Sequence, residues 1–174
     1  MRRLFFALIL IVVTTSTIAP ASILSIGDER KNALLVNPGD LFTGVLSLEY
    51  ERGVASWLGV TTGFSVWTFH SVFSGPNTPS YTAITPELGF RFHFIRQAPR
   101  GLWLGPYLTG GYLIGRSSGA MARSWSWGLG AATGYNFVIG RHFTFQLGAG
   151  GGFTDYGDEV RWDPRLKLGI GATF

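Results

Sequence analysis

The sequence predicts an all-β fold, an eight-stranded antiparallel up-and-down transmembrane β-barrel. Three observations carry that prediction. Bulky apolar side chains alternate with small or polar ones along most of the chain, the period of a strand. The connectors between these runs alternate between tight turns and longer loops, as in a barrel that crosses a bilayer repeatedly. Only 14% of the residues are charged, against ~25% in an ordinary soluble domain, so little remains to solvate an outer surface.

The composition narrows the alternatives further. Glycine occupies 25 of 174 positions and aromatic residues make up 15%. Glycine is a poor helix former, which argues against a helical bundle or coiled coil. Low charge with abundant aromatics excludes a disordered chain. There are no cysteines, so disulfides, thiolate metal sites and thiol catalysis are excluded. The formal charge of +4 comes without a basic patch, and no nucleic-acid partner is expected.

Residues 1–21 read as a signal peptide. Arg2 and Arg3 precede the apolar run Leu4 to Val13, a polar stretch follows, and Ala19-Pro20-Ala21 supplies a small-x-small cleavage pattern before Ser22. The run is too short for the ~20 apolar residues of a membrane-spanning helix. The barrel is therefore assigned to residues 22–174.

Eight strands are expected, at about 31–37, 41–51, 57–69, 82–95, 102–113, 124–138, 143–154 and 163–174. In the second, Leu46, Leu48 and Tyr50 oppose Ser47, Glu49 and Glu51. In the third the parity blurs, because Trp67 and Phe69 share the face of Gly63 and Ser65. In the fourth, Leu88, Phe90, Phe92 and Phe94 oppose Glu87, Gly89, Arg91 and His93. The sixth sets Trp125, Trp127, Leu129, Ala131, Tyr135 and Phe137 against Ser126, Gly128, Gly130, Ala132, Gly134 and Asn136. The seventh sets Phe143, Phe145, Leu147 and Phe153 against Thr144, Gln146, Gly148 and Gly152. The last sets Leu166, Leu168, Ile170 and Phe174 against Arg165, Lys167, Gly169 and Thr173. Tight turns are expected at 53–56, 96–101 and 139–142, and longer loops at 70–81, 114–123 and 155–162. The short turn Asn37-Pro38-Gly39-Asp40 falls on the side of the longer loops. Pro86 and Pro106 fall inside expected strands, where a missing N–H forfeits a ladder bond, so each is expected at a rim or bulge.

The bulky face is assigned to lipid and the small or polar face to the lumen. Closure must be complete, since an open edge would leave backbone groups unpaired in hydrocarbon. This parity sends Glu49, Glu51, Glu87, Arg91, His93, Arg165 and Lys167 inward, where they are expected to form an ion network that plugs the barrel, with Glu87–Arg91 as its first pair. Eight strands leave an interior just filled by side chains. Trp125 and Trp127 at one end of the sixth strand, with Tyr135 and Phe137 at the other, have the spacing of two interfacial aromatic girdles.

The C-terminal stretch Lys167-Leu-Gly-Ile-Gly-Ala-Thr-Phe174 resembles the assembly signal of bacterial outer-membrane barrels, with Lys167, Gly169, Ala172 and Phe174 at the signal positions. Together with the leader and the alternation, the mature chain resembles the small OmpA/OmpX-like outer-membrane barrels. Lys31-Asn32-Ala33-Leu34-Leu35 and Leu48-Glu49-Tyr50-Glu51 are similar to a family of uncharacterised small outer-membrane barrels. The resemblance implies an outer-membrane protein of a Gram-negative-type envelope, handled by periplasmic chaperones and the barrel-assembly machinery. Its implied surroundings are outer-membrane lipid and lipopolysaccharide.

The expected role is non-enzymatic, structural or surface-interacting, with a narrow porin-like channel as the alternative and a lipid A-modifying enzyme as the lesser one. No catalytic, cofactor-binding or metal residue is assigned. Lipid A deacylases carry a His-x-Ser element, whereas here His70 and Ser71 are adjacent in a loop and adjacent strand residues point to opposite faces. His142 reads as a solvated turn residue. Asp155, Asp158 and Glu159 share a loop and suit a divalent cation, but a solvated acidic loop is the preferred reading. The run from Gly148 to Gly152 lacks the Lys-Ser/Thr that a phosphate loop requires, and fits close packing in a narrow barrel.

Overall fold

The computed structural model describes residues 31–38, 45–69, 80–117, 120–140, 142–157 and 159–174, with backbone alone at 67–69, 80–81, 116–117 and 120–122. Residues 1–21, His70 and Ser71 lie outside them, as does Asp158, and so do the side chains of Trp67 and Phe69. The described residues form eight strands: β1 (Asn32–Val36), β2 (Val45–Ala55), β3 (Leu58–Phe69), β4 (Ser80–Ile95), β5 (Gly101–Ser117), β6 (Ala120–Ile139), β7 (Phe143–Asp155) and β8 (Val160–Thr173). Each pairs antiparallel with its sequence neighbours, and β1 pairs with β8, giving a closed barrel. The backbones of Asn32 and Phe174 exchange two hydrogen bonds of 2.9 Å, so the C-terminal residue is tied into the closure.

The distribution of polarity is that of a soluble protein turned inside out. Leu129, Phe153, Trp162 and Leu166 are each more than half exposed on the outside, while Glu51 and Gln146 are 0% exposed inside. Such an exterior is stable against hydrocarbon and not against water. Among the described residues no helix is long and apolar enough to cross a membrane; crossing is left to the strands.

The structure corrects several boundaries. β5 and β6 run on to pair Ser117 with Ala120, so most of the expected loop 114–123 is strand; its Ser, Gly and Arg content disguised a long hairpin. The loop expected at 155–162 shrinks to 156–159. Gly53 is not in a turn but inside β2, where the space its missing Cβ leaves lies 3.0 Å from the Ala98 carbonyl oxygen. Pro86 and Pro106 sit at neither rim nor bulge. Pro86 pairs with Phe64 and Pro106 with Ala131, each on one side only. The β4–β5 ladder skips the pairs around both, keeping register across the gaps, and its irregularity falls instead at His93–Ile95. A proline can thus occupy mid-strand by forfeiting pairing along a single seam.

Not every lumen residue is small. Trp103 and Tyr107 point inward from β5 and are 1% and 6% exposed, while Leu102, Leu104 and Leu108 take the outer face. They fit because the residues beside them on β6 and β7, Gly134 opposite Trp103 and Gly148 beyond it, are small. The Cβ position of Gly134 lies 2.7 Å from the Trp103 ring, and that of Gly148 3.2 Å from it.

Candidate functional site

The strongest cluster of functional chemistry lies in the lumen, toward the rim that carries Lys31 and Phe174. β2 contributes Glu49 and Glu51, two residues apart and therefore on one face. β4 contributes Glu87, Arg91 and His93, and β8 contributes Arg165 and Lys167. The Arg91 guanidinium spans the two β2 carboxylates, with 2.6 Å to Glu49 and 2.7 Å to Glu51. Its Cζ lies 3.9 Å from the centre of the Trp103 ring, a cation–π contact between two buried side chains. Lys167 Nζ donates to Glu49 at 2.6 Å and to Glu87 at 3.1 Å. Arg165 donates to the other Glu87 oxygen and stacks on Tyr107 at 4.3 Å. The seven residues expected to form the network are thus joined through shared carboxylates, from Arg165 through Glu87, Lys167, Glu49, Arg91 and Glu51 to His93.

Neutral amides complete the network. Gln146 Nε2 donates to Glu49 (3.2 Å) and to Asn136 Oδ1 (3.0 Å). Asn136 Oδ1 also accepts from Trp103 Nε1 at 2.9 Å, and Asn136 Nδ2 donates to the Pro99 carbonyl at 2.7 Å. His93 Nε2 lies 2.7 Å from Glu51, and its Nδ1 lies 3.0 Å from the Arg100 carbonyl oxygen. The network therefore reaches the β4–β5 turn, whose Ala98 and Pro99 are buried in the barrel mouth. That turn is pinned from the other side by a 2.9 Å bond from Ala98 N to Ser56 O.

The pairing differs from expectation at one point. Glu87 does not bond Arg91, because residues four apart on one strand stand ~13 Å apart along it, at about 3.3 Å per residue. Glu87 is taken by β8 across the barrel and Arg91 by β2. Sequence reasoning also missed Trp103, Tyr107 and Asn136 as participants. The parity of Asn136 opposite Tyr135 and Phe137 was the available signal. β5 gave none, because it is apolar on both faces.

The other singled-out residues lie apart from this cluster. Trp125 and Trp127 are exposed near the loop rim, where Tyr112 meets Trp125 with ring centres 4.8 Å apart, and Phe153 meets Trp162 at 5.1 Å. Tyr135 and Phe137 contact each other at 4.4 Å near the opposite rim, with Phe145 beside them. Of the terminal residues, Lys167 and Gly169 face the lumen, while Ala172 and Phe174 face outward. In the 156–159 loop, Asp155 accepts from the Gly157 N–H at 2.7 Å, and Glu159 pairs with Arg161 at 2.7 Å. Tyr156 reaches into the lumen to donate to Asp163 at 2.9 Å; burial first, and that carboxylate second, push its phenol up. Exposed His142 places Nδ1 3.2 Å from the Thr173 carbonyl. Among the described residues no group of three or more histidines and carboxylates is arranged to hold a metal ion.

A closed, eight-stranded antiparallel barrel with an apolar exterior and a charged interior has the fold of the small bacterial outer-membrane barrels. The chain matches Ail, the attachment invasion locus protein of Yersinia pestis, with a TM-score of 0.51 and 16% identity, over 83% of this chain and 95% of that one. Neisserial surface protein A (NspA) gives a TM-score of 0.52 and 17% identity over the same shares. Ail in complex with the heparin analogue sucrose octasulfate gives 0.53 and 14%, over 84% of this chain and all of that one. The fold agrees with the OmpA/OmpX-like class. No protein-family model matches the chain, and no curated protein matches it in sequence.

Proposed function

We propose that this protein is a non-enzymatic outer-membrane barrel with a structural or surface-interaction role, whose lumen is plugged by its ion network. The single observation that carries the reading is the cross-lumen chain of ion pairs from β8 through β4 to β2, sealed at one mouth by the buried Ala98-Pro99 turn. A barrel so filled offers no continuous aqueous path. The surface role draws support from the neighbours, since Ail is named for attachment and invasion and NspA as a surface protein. In this reading residues 1–21 export the chain, Phe174 directs its assembly, and the outward aromatics meet outer-membrane lipid and lipopolysaccharide at the two interfaces. The rim with Lys31 and Phe174 faces the periplasm.

Planar-bilayer recording of the purified barrel tests the plug. The expected record is flat; steady ion-conducting openings would establish the narrow channel instead. Mass spectrometry of lipid A from expressing and non-expressing cells should give identical spectra, and a new lipid A species would overturn the non-enzymatic assignment.

A further inference from the structure

The rim that carries Lys31 and Phe174 has a charge pattern the lumen does not explain. Among the described residues, every side-chain carboxylate is either in the lumen (Glu49, Glu51, Glu87, Asp163) or at the loop rim (Asp155, Glu159). Among the described residues the terminal rim holds Lys31, Arg52 and Arg96 and no side-chain carboxylate. None of the ion pairs among the described residues involves Lys31, Arg52 or Arg96.

These cations share one arc. Gly53 N donates to Lys31 O at 2.6 Å, and Arg52 sits opposite Asn32 in the β1–β2 register. Ala98 N donates to Ser56 O, and His93 N to Trp57 O at 2.8 Å, which seats the Arg96–Arg100 turn against the β2–β3 turn. Arg52 has the outward parity of Leu48 and Tyr50, so its guanidinium leaves from the lipid side. Exposed Trp57 stacks on Phe92 with ring centres 6.1 Å apart, and Phe94 beside it is exposed. Aromatic rings of this kind settle at the head-group level. Arg96, exposed in the turn, stands at the same edge.

We infer that this arc is a binding site for the phosphodiester head group of an anionic phospholipid in the inner leaflet of the outer membrane. Guanidinium groups match phosphate geometry with paired N–H donors. An outward arginine at the interface reaches that phosphate by snorkelling while its methylenes stay in the acyl region. Among the described residues no carboxylate side chain stands on the arc to compete. The leaflet assignment rests on the topology proposed above; the lipid preference does not.

The test uses the full mature barrel in nanodiscs containing equal phosphatidylglycerol and phosphatidylcholine of one chain length. Lipid retained after release is counted by native mass spectrometry. Wild type is expected to retain phosphatidylglycerol preferentially, and each of Lys31→Gln, Arg52→Gln and Arg96→Gln should lower that preference about fivefold, the worth of one cation at an anionic surface. Arg123→Gln, at the opposite rim, should leave it unchanged. Heat-modifiable migration on gels confirms that each variant is folded, since these side chains stand outside the packed lumen. Retention by the triple variant equal to wild type overturns the site, as does preferential capture of soluble peptidoglycan fragments over phospholipid. Surface labelling of a Gln97→Cys variant in intact cells would overturn the leaflet alone, while a flat or conducting bilayer record bears only on the plug.

Discussion

Arg91 illustrates how a few side chains decide the interior. It is 3% exposed, holds two carboxylates and lies on Trp103. Removing one member of such a buried set leaves its partners uncompensated, which typically costs about 3–5 kcal/mol. Arg91→Gln is therefore expected to lower the urea midpoint sharply, and Arg91→Gln combined with Glu51→Gln to lower it less than the sum of those two single changes. Strict additivity of the two would show that the groups act independently. Gly134 gives a steric counterpart. An added Cβ would fall 2.6 Å from the Leu147 carbonyl oxygen and 2.7 Å from the Trp103 ring, so Gly134→Ala should destabilise by about 1–3 kcal/mol through overpacking. An unchanged melting temperature would mean that both the Trp103 ring and the β7 backbone at Leu147 give way. At this scale the inward parity of Glu49, Glu51, Glu87, Arg91, His93, Arg165 and Lys167 was legible in the sequence, while Asp163 on the same face went unnoticed. The partners were not, because a carboxylate pairs with whatever the closed barrel sets across from it.

At the scale of the element, β8 and the turns carry the predictions. Phe174 exchanges both backbone hydrogen bonds with Asn32, so deleting it removes the last clamp of the β1–β8 seam. The deletion is expected to leave the protein aggregated or degraded in the periplasm, and normal outer-membrane yield would show that the clamp is dispensable. The lack of cysteines makes accessibility simple to map. A Glu159→Cys variant should react with a membrane-impermeant maleimide on intact cells, and Gln97→Cys only after the outer membrane is breached; the reverse order would invert the topology. Hairpin tips were the least legible elements. Polar and glycine-rich sequence suits both a loop and an extended β5–β6 hairpin, and only the continued pairing out to Ser117 and Ala120 distinguishes them.

For the whole molecule, the lumen network and the buried Ala98-Pro99 turn together predict conductance that stays flat in wild type. Asn136→Ala removes the bond to the Pro99 carbonyl and is expected to give brief openings as that turn loosens. A record as silent as wild type would mean that the turn is held by packing alone.

The sequence by itself determined that this chain is an all-β transmembrane barrel and which face of most strands is buried. Period-two alternation and scarce charge leave few other ways to satisfy both backbone and side chains. Only the tertiary structure decided that Trp103 and Tyr107 fill the lumen, that two prolines share one seam, and that Glu87 serves β8 and not Arg91. Each of these depends on which residues closure brings opposite one another. Strand register around a barrel is a property of all eight strands together, and no local stretch of sequence encodes it.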